Sequence, residues 1–251
     1  MKEIFVFHTV ENLSVYLKEL LRIKTDKIPE GKYLSVALSG GSTPKKVFNN
    51  ISSDDQGEVN WEKVRLFWVD ERCVPPNDEE SNYKMTRNNL LVNINIPDEN
   101  VFRIYGENDM EEEAGRYNSI LKENIESVNA LPKFDIVLLG LGEDGHTASI
   151  FPGNNSLFHS TKCCEAVTHP QTGKHRITLT GPVINNAEMV IFVVTGGGKA
   201  EIVKQVLEDD HKADLPASQV KPANGSLIWL LDNGAAGFLP DRIHSCLCDY
   251  Q

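Results

Sequence analysis

The chain has 251 residues, 40% hydrophobic and 24% charged, values ordinary for a globular protein and foreign to a disordered one. Its 25 Lys+Arg against 36 Asp+Glu give a net charge of −11. That balance argues against general binding to nucleic acid or anionic membranes, yet it permits a small anion held by a few local bases.

No stretch approaches the ~18 consecutive apolar residues of a membrane span, and the apolar run at residues 4–7 is too short for a signal-peptide core. Five cysteines occur without C-x-x-C spacing; Cys163 and Cys164 are adjacent, and Cys246 and Cys248 lie in a polar tail. No zinc site is expected, and a cytoplasmic protein with reduced thiols is.

Residues 4–7 predict a first strand, and Val10, Leu13, Leu17, Leu20 and Leu21 predict a helix capped by Thr9. Residues 33–38 predict a buried strand, and Val47, Phe48 and Ile51 the helix after it. Residues 64–69 read as the next strand, followed by a helix from Ser81 to about Leu91. Residues 101–104 are strand-like. Asp109 with Glu111, Glu112 and Glu113 places acid at a helix start, where the macrodipole favours it. The apolar stripe Ala114, Tyr117, Leu121, Ile125 and Val128 extends that helix.

Residues 134–139 are almost wholly apolar, as expected of a strand buried on both faces of a parallel sheet. Residues 175–180 alternate and predict a half-exposed strand. Residues 189–194 and 227–231 are further buried strands, with a helix over about 198–208 between them. Residues 241–251 show no clear element. This order predicts a single α/β domain over residues 1–251. The expected architecture is a three-layer Rossmann-like fold, its mainly parallel sheet flanked by helices on both faces.

Ligands of such sheets bind outside the carboxyl ends of the strands, so the residues after each strand matter most. Ser39-Gly40-Gly41-Ser42-Thr43-Pro44 reads as an anion cradle at a helix N-terminus, or as a tight turn capped by a hydroxyl. It is not a P-loop, since G-x-x-x-x-G-K-[ST] is absent. Asp70-Glu71-Arg72 offers two acids and a guanidinium suited to a bidentate anion contact, or an ion pair among neighbours. Thr195-Gly196-Gly197-Gly198-Lys199 reads as a second anion-facing loop, or as a turn with a solvated lysine. Arg176 lies on an alternating strand and can face the same cleft.

Gly140-x-Gly142-x-x-Gly145 matches the dinucleotide fingerprint in form. The fingerprint needs a helix after its third glycine, and Pro152-Gly153 arrives too soon for one. What remains is His146 beside Glu143 and Asp144 on a sharp loop: a general base oriented by a carboxylate, or a loop histidine bonded to backbone. His8, His159, His169, His211 and His244 have no supporting context and read as surface or packing residues.

Taken together, the motifs resemble those of the 6-phosphogluconolactonase family. They run in order as Ser39-Gly40-Gly41-Ser42-Thr43-Pro44, Trp68-Val69-Asp70-Glu71-Arg72, Ser81-Asn82-Tyr83, the segment from Gly140 to Pro152, Arg176-Ile177-Thr178, Gly196-Gly197-Gly198-Lys199 and Pro216-Ala217-Ser218. The resemblance covers about residues 5–235 and extends to a wider group with glucosamine-6-phosphate deaminases and ribose-5-phosphate isomerases.

It implies hydrolysis of 6-phospho-D-glucono-1,5-lactone to 6-phospho-D-gluconate in the oxidative pentose phosphate pathway, with no metal or organic cofactor. The implied partner is a small phosphorylated sugar lactone, the implied assembly a monomer or weak homodimer. The resemblance suggests His146 as the base that activates water and Asp144 as its neighbour. It sets Gly40, Gly41, Ser42, Thr43 and Asp70 around the substrate, with Arg72, Arg176 and Lys199 as basic contacts. Arg72 is the candidate for the oxyanion.

Two rival readings are a deaminase/isomerase and a non-catalytic sugar-phosphate sensor. The resembling deaminases carry a glutamate five residues after the histidine, where this chain has Phe151, and a tyrosine where it has Arg72.

Overall fold

The structure is a computed structural model that describes residues 2–53, 57–208 and 215–240. The tail from residue 241, with His244, Cys246 and Cys248, and also His211, lie outside the described residues.

The strands and helices follow one another as β1 (Lys2–Phe7), α1 (Val10–Asp26), β2 (Leu34–Leu38), α2 (Ser42–Ser53), β3 (Val64–Trp68), β4 (Asp70–Arg72), α3 (Asn82–Asn89), β5 (Val101–Phe102) and α4 (Met110–Asn124). Then come β6 (Ser127–Val128), β7 (Leu131–Pro132), β8 (Ile136–Leu139), β9 (Cys164–Thr168), β10 (His175–Leu179), α5 (Gly181–Asn185), β11 (Met189–Val194), α6 (Ala200–Glu208) and β12 (Ser226–Asp232).

Seven strands form the central sheet in the order β1-β12-β11-β8-β2-β3-β5, and every neighbouring pair is parallel. Both faces are covered because successive side chains of a strand point to opposite sides. Ile136 and Leu138 of β8 join Leu13, Leu17, Phe48 and Ile51 in the core under α1 and α2. Val137 and Leu139 join Tyr117, Leu121, Ile202 and Val203 in the core under α4 and α6. These are the three layers expected from the sequence. Among the described residues, no helix is long and apolar enough to cross a membrane.

The helix starts follow the capping residues. The Thr9 hydroxyl accepts from the Asn12 N–H, the Ser81 hydroxyl from the Lys84 N–H, and the Asp109 carboxylate from the N–H groups of Glu111 and Glu112. The end of α4 differs from expectation. The helix stops at Asn124, and Val128 belongs to a β6–β7 hairpin whose two turn residues, Asn129 and Ala130, have φ of 55° and 63°. Two positive-φ residues between paired strands make the tight turn that suits a hairpin's twist. Val128 kept the helical spacing by coincidence.

The departure that matters for the site is β4. Residues 70–72 carry no predicted element of their own, only a place after the 64–69 strand; they form a strand of a second, antiparallel sheet ordered β4-β10-β9. The chain crosses between sheets at Val69, whose N–H donates to Leu38 O of the parallel sheet while its carbonyl accepts from Leu179 N of the antiparallel one. Tyr117 secures the exit: its hydroxyl accepts from the Trp68 N–H at 2.8 Å and donates to Trp68 O at 3.0 Å. The second sheet therefore stands at the carboxyl edge of the first.

Candidate active site at the carboxyl edge of the sheet

A cleft of about 220 Å³ opens at this edge. Gly40, Gly41, Ser42, Thr43, Asp70, Arg72, His146, Arg176 and Lys199 all line it. Asp144 does not line the cleft and reaches it only through His146. Asn82, Gly142 and Ala148 line it as well, without having been singled out one by one in the sequence.

The first wall is the start of α2. Gly41 has a φ of 112°, which lets the chain turn sharply from β2 into the helix, and its carbonyl accepts the first helical bond, from Lys45 N. No acid occupies the first turn, so the positive end of the helix is left for an anion. Thr43 Oγ1 lies 2.8 Å from Thr195 Oγ1, tying this wall to the loop that ends in Lys199. Gly40 is dictated by space: a Cβ there would sit 1.8 Å from Asn82 Oδ1.

The second wall carries His146. The Gly142 N–H donates to His146 O, and the Gly145 N–H to Gly142 O, closing a tight loop. A Cβ on Gly142 would lie 2.1 Å from His146 Nδ1, and Gly145 sits at φ 80°. Both glycines serve the histidine's turn rather than a pyrophosphate. No helix starts directly after Gly145. Calorimetry with NADP should accordingly detect no 1:1 binding in the micromolar range; such binding would restore the dinucleotide reading.

Asp144 Oδ1 accepts from the His146 N–H at 3.1 Å and from Nδ1 at 2.6 Å. A carboxylate can only accept, so Nδ1 carries a proton, and in the neutral ring Nε2 then keeps the lone pair. Partial burial opposes ionisation of Asp144, but the His146 N–H and imidazole together hold its carboxyl below the usual range.

Phe151, 1% exposed, packs against two imidazoles, with ring centroids 4.9 Å from His146 and 4.6 Å from His169. His169 was expected as a surface or packing residue without context. It is a packing residue, but one set against the site. Burial and the charges of Arg176 and His146 push it below the usual histidine value.

The third wall is the antiparallel sheet. Arg72 and Arg176 stand directly opposite each other in the β4–β10 register. Like charges so placed repel. Burial, followed by the Arg72 charge, lowers the Arg176 pKa. The Nε of each arginine is buried without a hydrogen-bond partner among the described residues. The nearest counter-charge to Arg176 is Asp70, at 4.0 Å. A guanidinium pair of this kind is chemically suited to an anion.

Asp70 is held by donors: Ser149 Oγ at 2.6 Å, and Asn82 Nδ2 to its carbonyl at 2.9 Å. Glu71 points elsewhere. Its carboxylate accepts from Arg72 N, Asn82 N, Tyr83 N and Ser81 Oγ, and so anchors the start of α3. Burial pushes its pKa up, against those backbone donors. The ion pair among neighbours is not formed either: Arg72 Nη1 donates to Glu80 O.

Lys199 ends a short turn that begins at Gly196, φ 97°, and its N–H donates to Gly196 O. Among the described residues, no three of His, Cys, Asp and Glu gather as a metal site. The cleft thus combines an oriented imidazole base, three cations, a free helix N-terminus and backbone loops shaped by glycine. That set suits attack by water on an anionic substrate.

Comparison with known proteins agrees. The family model for glucosamine-6-phosphate isomerases/6-phosphogluconolactonase matches residues 10–229. A 6-phosphogluconolactonase of Treponema pallidum is 39% identical over 208 residues, covering 82% of this chain and 84% of the relative. One of Rattus norvegicus is 36% identical, with 97% of each chain covered. The solved 6-phosphogluconolactonase of Trypanosoma brucei superposes with a TM-score of 0.82 at 31% identity, over 96% of this chain and 99% of that one. The chain belongs to the glucosamine-6-phosphate isomerase/6-phosphogluconolactonase family.

Proposed function

We propose that the protein hydrolyses 6-phospho-D-glucono-1,5-lactone to 6-phospho-D-gluconate, using water activated by His146. The observation that carries this reading is His146, bonded to Asp144 at 2.6 Å and lining a cleft with three cations. The lactone is an activated ester. Water attacks C1 while His146 Nε2 takes its proton, and Asp144 stabilises the imidazolium. The carbonyl oxygen becomes an oxyanion, which Arg72 neutralises. The tetrahedral intermediate collapses, the bond from C1 to the ring oxygen breaks, and His146 returns the proton to that oxygen. Nothing in this sequence needs a serine nucleophile, and G-x-S-x-G is absent from the chain.

The phosphate end falls to the α2 N-terminus, with Ser42 and Thr43, and to Lys199 across the Thr43–Thr195 contact. Gly40 and Gly41 let the backbone approach, Asp70 faces the sugar, and Arg176 supplies the second cation opposite Arg72. The same reading takes the chain as one domain over residues 1–251 that works in the cytoplasm as a monomer or weak homodimer, without metal or organic cofactor.

Deamination of glucosamine 6-phosphate is the nearest rival, and Asp70, where such enzymes resemble this chain, is retained. That chemistry must open the ring and move a proton between carbons. Phe151 supplies no proton-transfer group, and its ring is packed against two imidazoles. Purified protein should accelerate lactone hydrolysis well above the spontaneous background and release no ammonia from glucosamine 6-phosphate. Sustained enzyme-dependent ammonia would replace this reading with the rival, and absence of both activities would leave a sensor.

A further inference from the structure

Asp232 ends β12 and does not line the cleft. Both carboxylate oxygens accept from the Gly196 N–H, at 2.9 and 3.0 Å, and Oδ1 accepts from the Ala235 N–H at 2.7 Å. The bond to Ala235, three residues on, is an ordinary local turn. The bonds to Gly196 are not local: they join the ends of two neighbouring strands, 36 positions apart.

Gly196 opens the segment that leads to Lys199 and holds a left-handed conformation. Three consecutive glycines, 196–198, are exposed, and such a run has more backbone freedom than any other sequence. Gly196 is fixed at both of its polar groups, the N–H by Asp232 and the carbonyl by the Lys199 N–H at 2.9 Å. The support behind it is rigid. Ala235 and Ala236 are fully buried, the Ala236 N–H donates to Asp232 O, and the Asn233 N–H donates to Phe7 O. Gly234 touches the same segment: a Cβ there would lie 2.8 Å from Gly197 N.

A carboxylate near an anion site opposes binding by its charge. Its presence here is explained if the order it imposes outweighs that repulsion. We propose that Asp232 is a positioning residue for anion binding: by clamping Gly196 it holds residues 197–199 in the conformation that receives the substrate's phosphate. The proposal rests on the reading that Lys199 and the α2 N-terminus take that phosphate.

The test compares Asp232→Ala, Asp232→Asn, Gly234→Ala and Lys199→Ala in the full chain. The readouts are inhibition by inorganic phosphate, KM and kcat for the phosphorylated lactone, hydrolysis of unphosphorylated gluconolactone, and thermal stability. Asp232→Ala should weaken phosphate inhibition and raise KM by roughly tenfold or more, since misplacement of about 1 Å in a site can cost up to a hundredfold. Its kcat at saturation and its activity on the unphosphorylated lactone should hold. Asp232→Asn keeps one acceptor oxygen and should recover most of the affinity. Gly234→Ala pushes the same segment from the same side and should weaken phosphate in the same direction, which keeps the test decisive if Asp232→Ala fails to fold.

Wild-type phosphate inhibition in Asp232→Ala, or in Gly234→Ala when Asp232→Ala does not fold, would overturn the proposal. So would equal losses on both lactones. If Lys199→Ala weakens phosphate and the Asp232 and Gly234 variants do not, only the positioning role fails. If Lys199→Ala also leaves phosphate inhibition unchanged, the phosphate reading itself fails, and the proposal with it.

Discussion

Replacing His146 by Ala should reduce lactone hydrolysis by about 10²–10⁴-fold, the usual loss on removing a general base. The expectation follows from how the imidazole is held. Asp144 accepts a hydrogen bond from Nδ1–H, which leaves Nε2 as the neutral ring's basic nitrogen. Among the described residues, His169 also packs against Phe151, but it does not line the cleft. The His146 side chain is one-third exposed, so its truncation opens no cavity in the core. The variant should therefore fold and still bind 6-phosphogluconate. Steady-state assays corrected for spontaneous hydrolysis give the result, and near wild-type kcat would remove His146 from the mechanism.

Arg72→Ala should lower kcat by about 10²–10³-fold, comparable to the loss of one oxyanion-hole donor. Arg72→Lys should recover little, because an ammonium reproduces neither the planar fork nor its placement. The register opposite Arg176 adds a second expectation. Removing one of two facing guanidinium groups relieves repulsion in the empty site, which offsets the lost hydrogen bond to Glu80 O. The unliganded variant should thus keep its melting temperature while losing activity, a separation typical of a residue held for function at some cost to the fold. A clear fall in melting temperature, with catalysis intact, would make Arg72 a structural residue.

Much of the fold was legible because it rests on local chemistry. Thr9, Ser81 and Asp109 mark three helix starts by their side-chain caps, and residues 136–139, buried on both faces, announce a parallel strand. The second sheet was less legible. β4 is only three residues long, all charged, and its strand character comes from pairing with β10, about a hundred residues away in sequence. β9 mixes Cys, Glu and Ala and carries no clear periodicity.

The same distinction runs through the site. Ser42, Thr43, His146 and Lys199 were readable because each follows a strand of the central sheet in a glycine-rich turn. Asp144 was readable as a neighbour of His146. Glu71 was read only as one acid of the Asp70-Glu71-Arg72 motif; its anchoring role was not legible, since its four donors come mostly from the start of α3, ten residues further on. His169 and Asp232 gave no signal at all. Their partners, Phe151 and Gly196, are 18 and 36 positions away, and only the folded chain brings them together.

The most direct test of the account is the crystal structure of the protein with 6-phosphogluconate. The C1 carboxylate should lie within about 2.6–3.2 Å of His146 Nε2, beside Arg72, with the phosphate on the backbone and hydroxyls of Ser42 and Thr43 and on Lys199. A product bound the other way round, with phosphate at His146 or with C1 beyond its reach, would contradict histidine-activated hydrolysis.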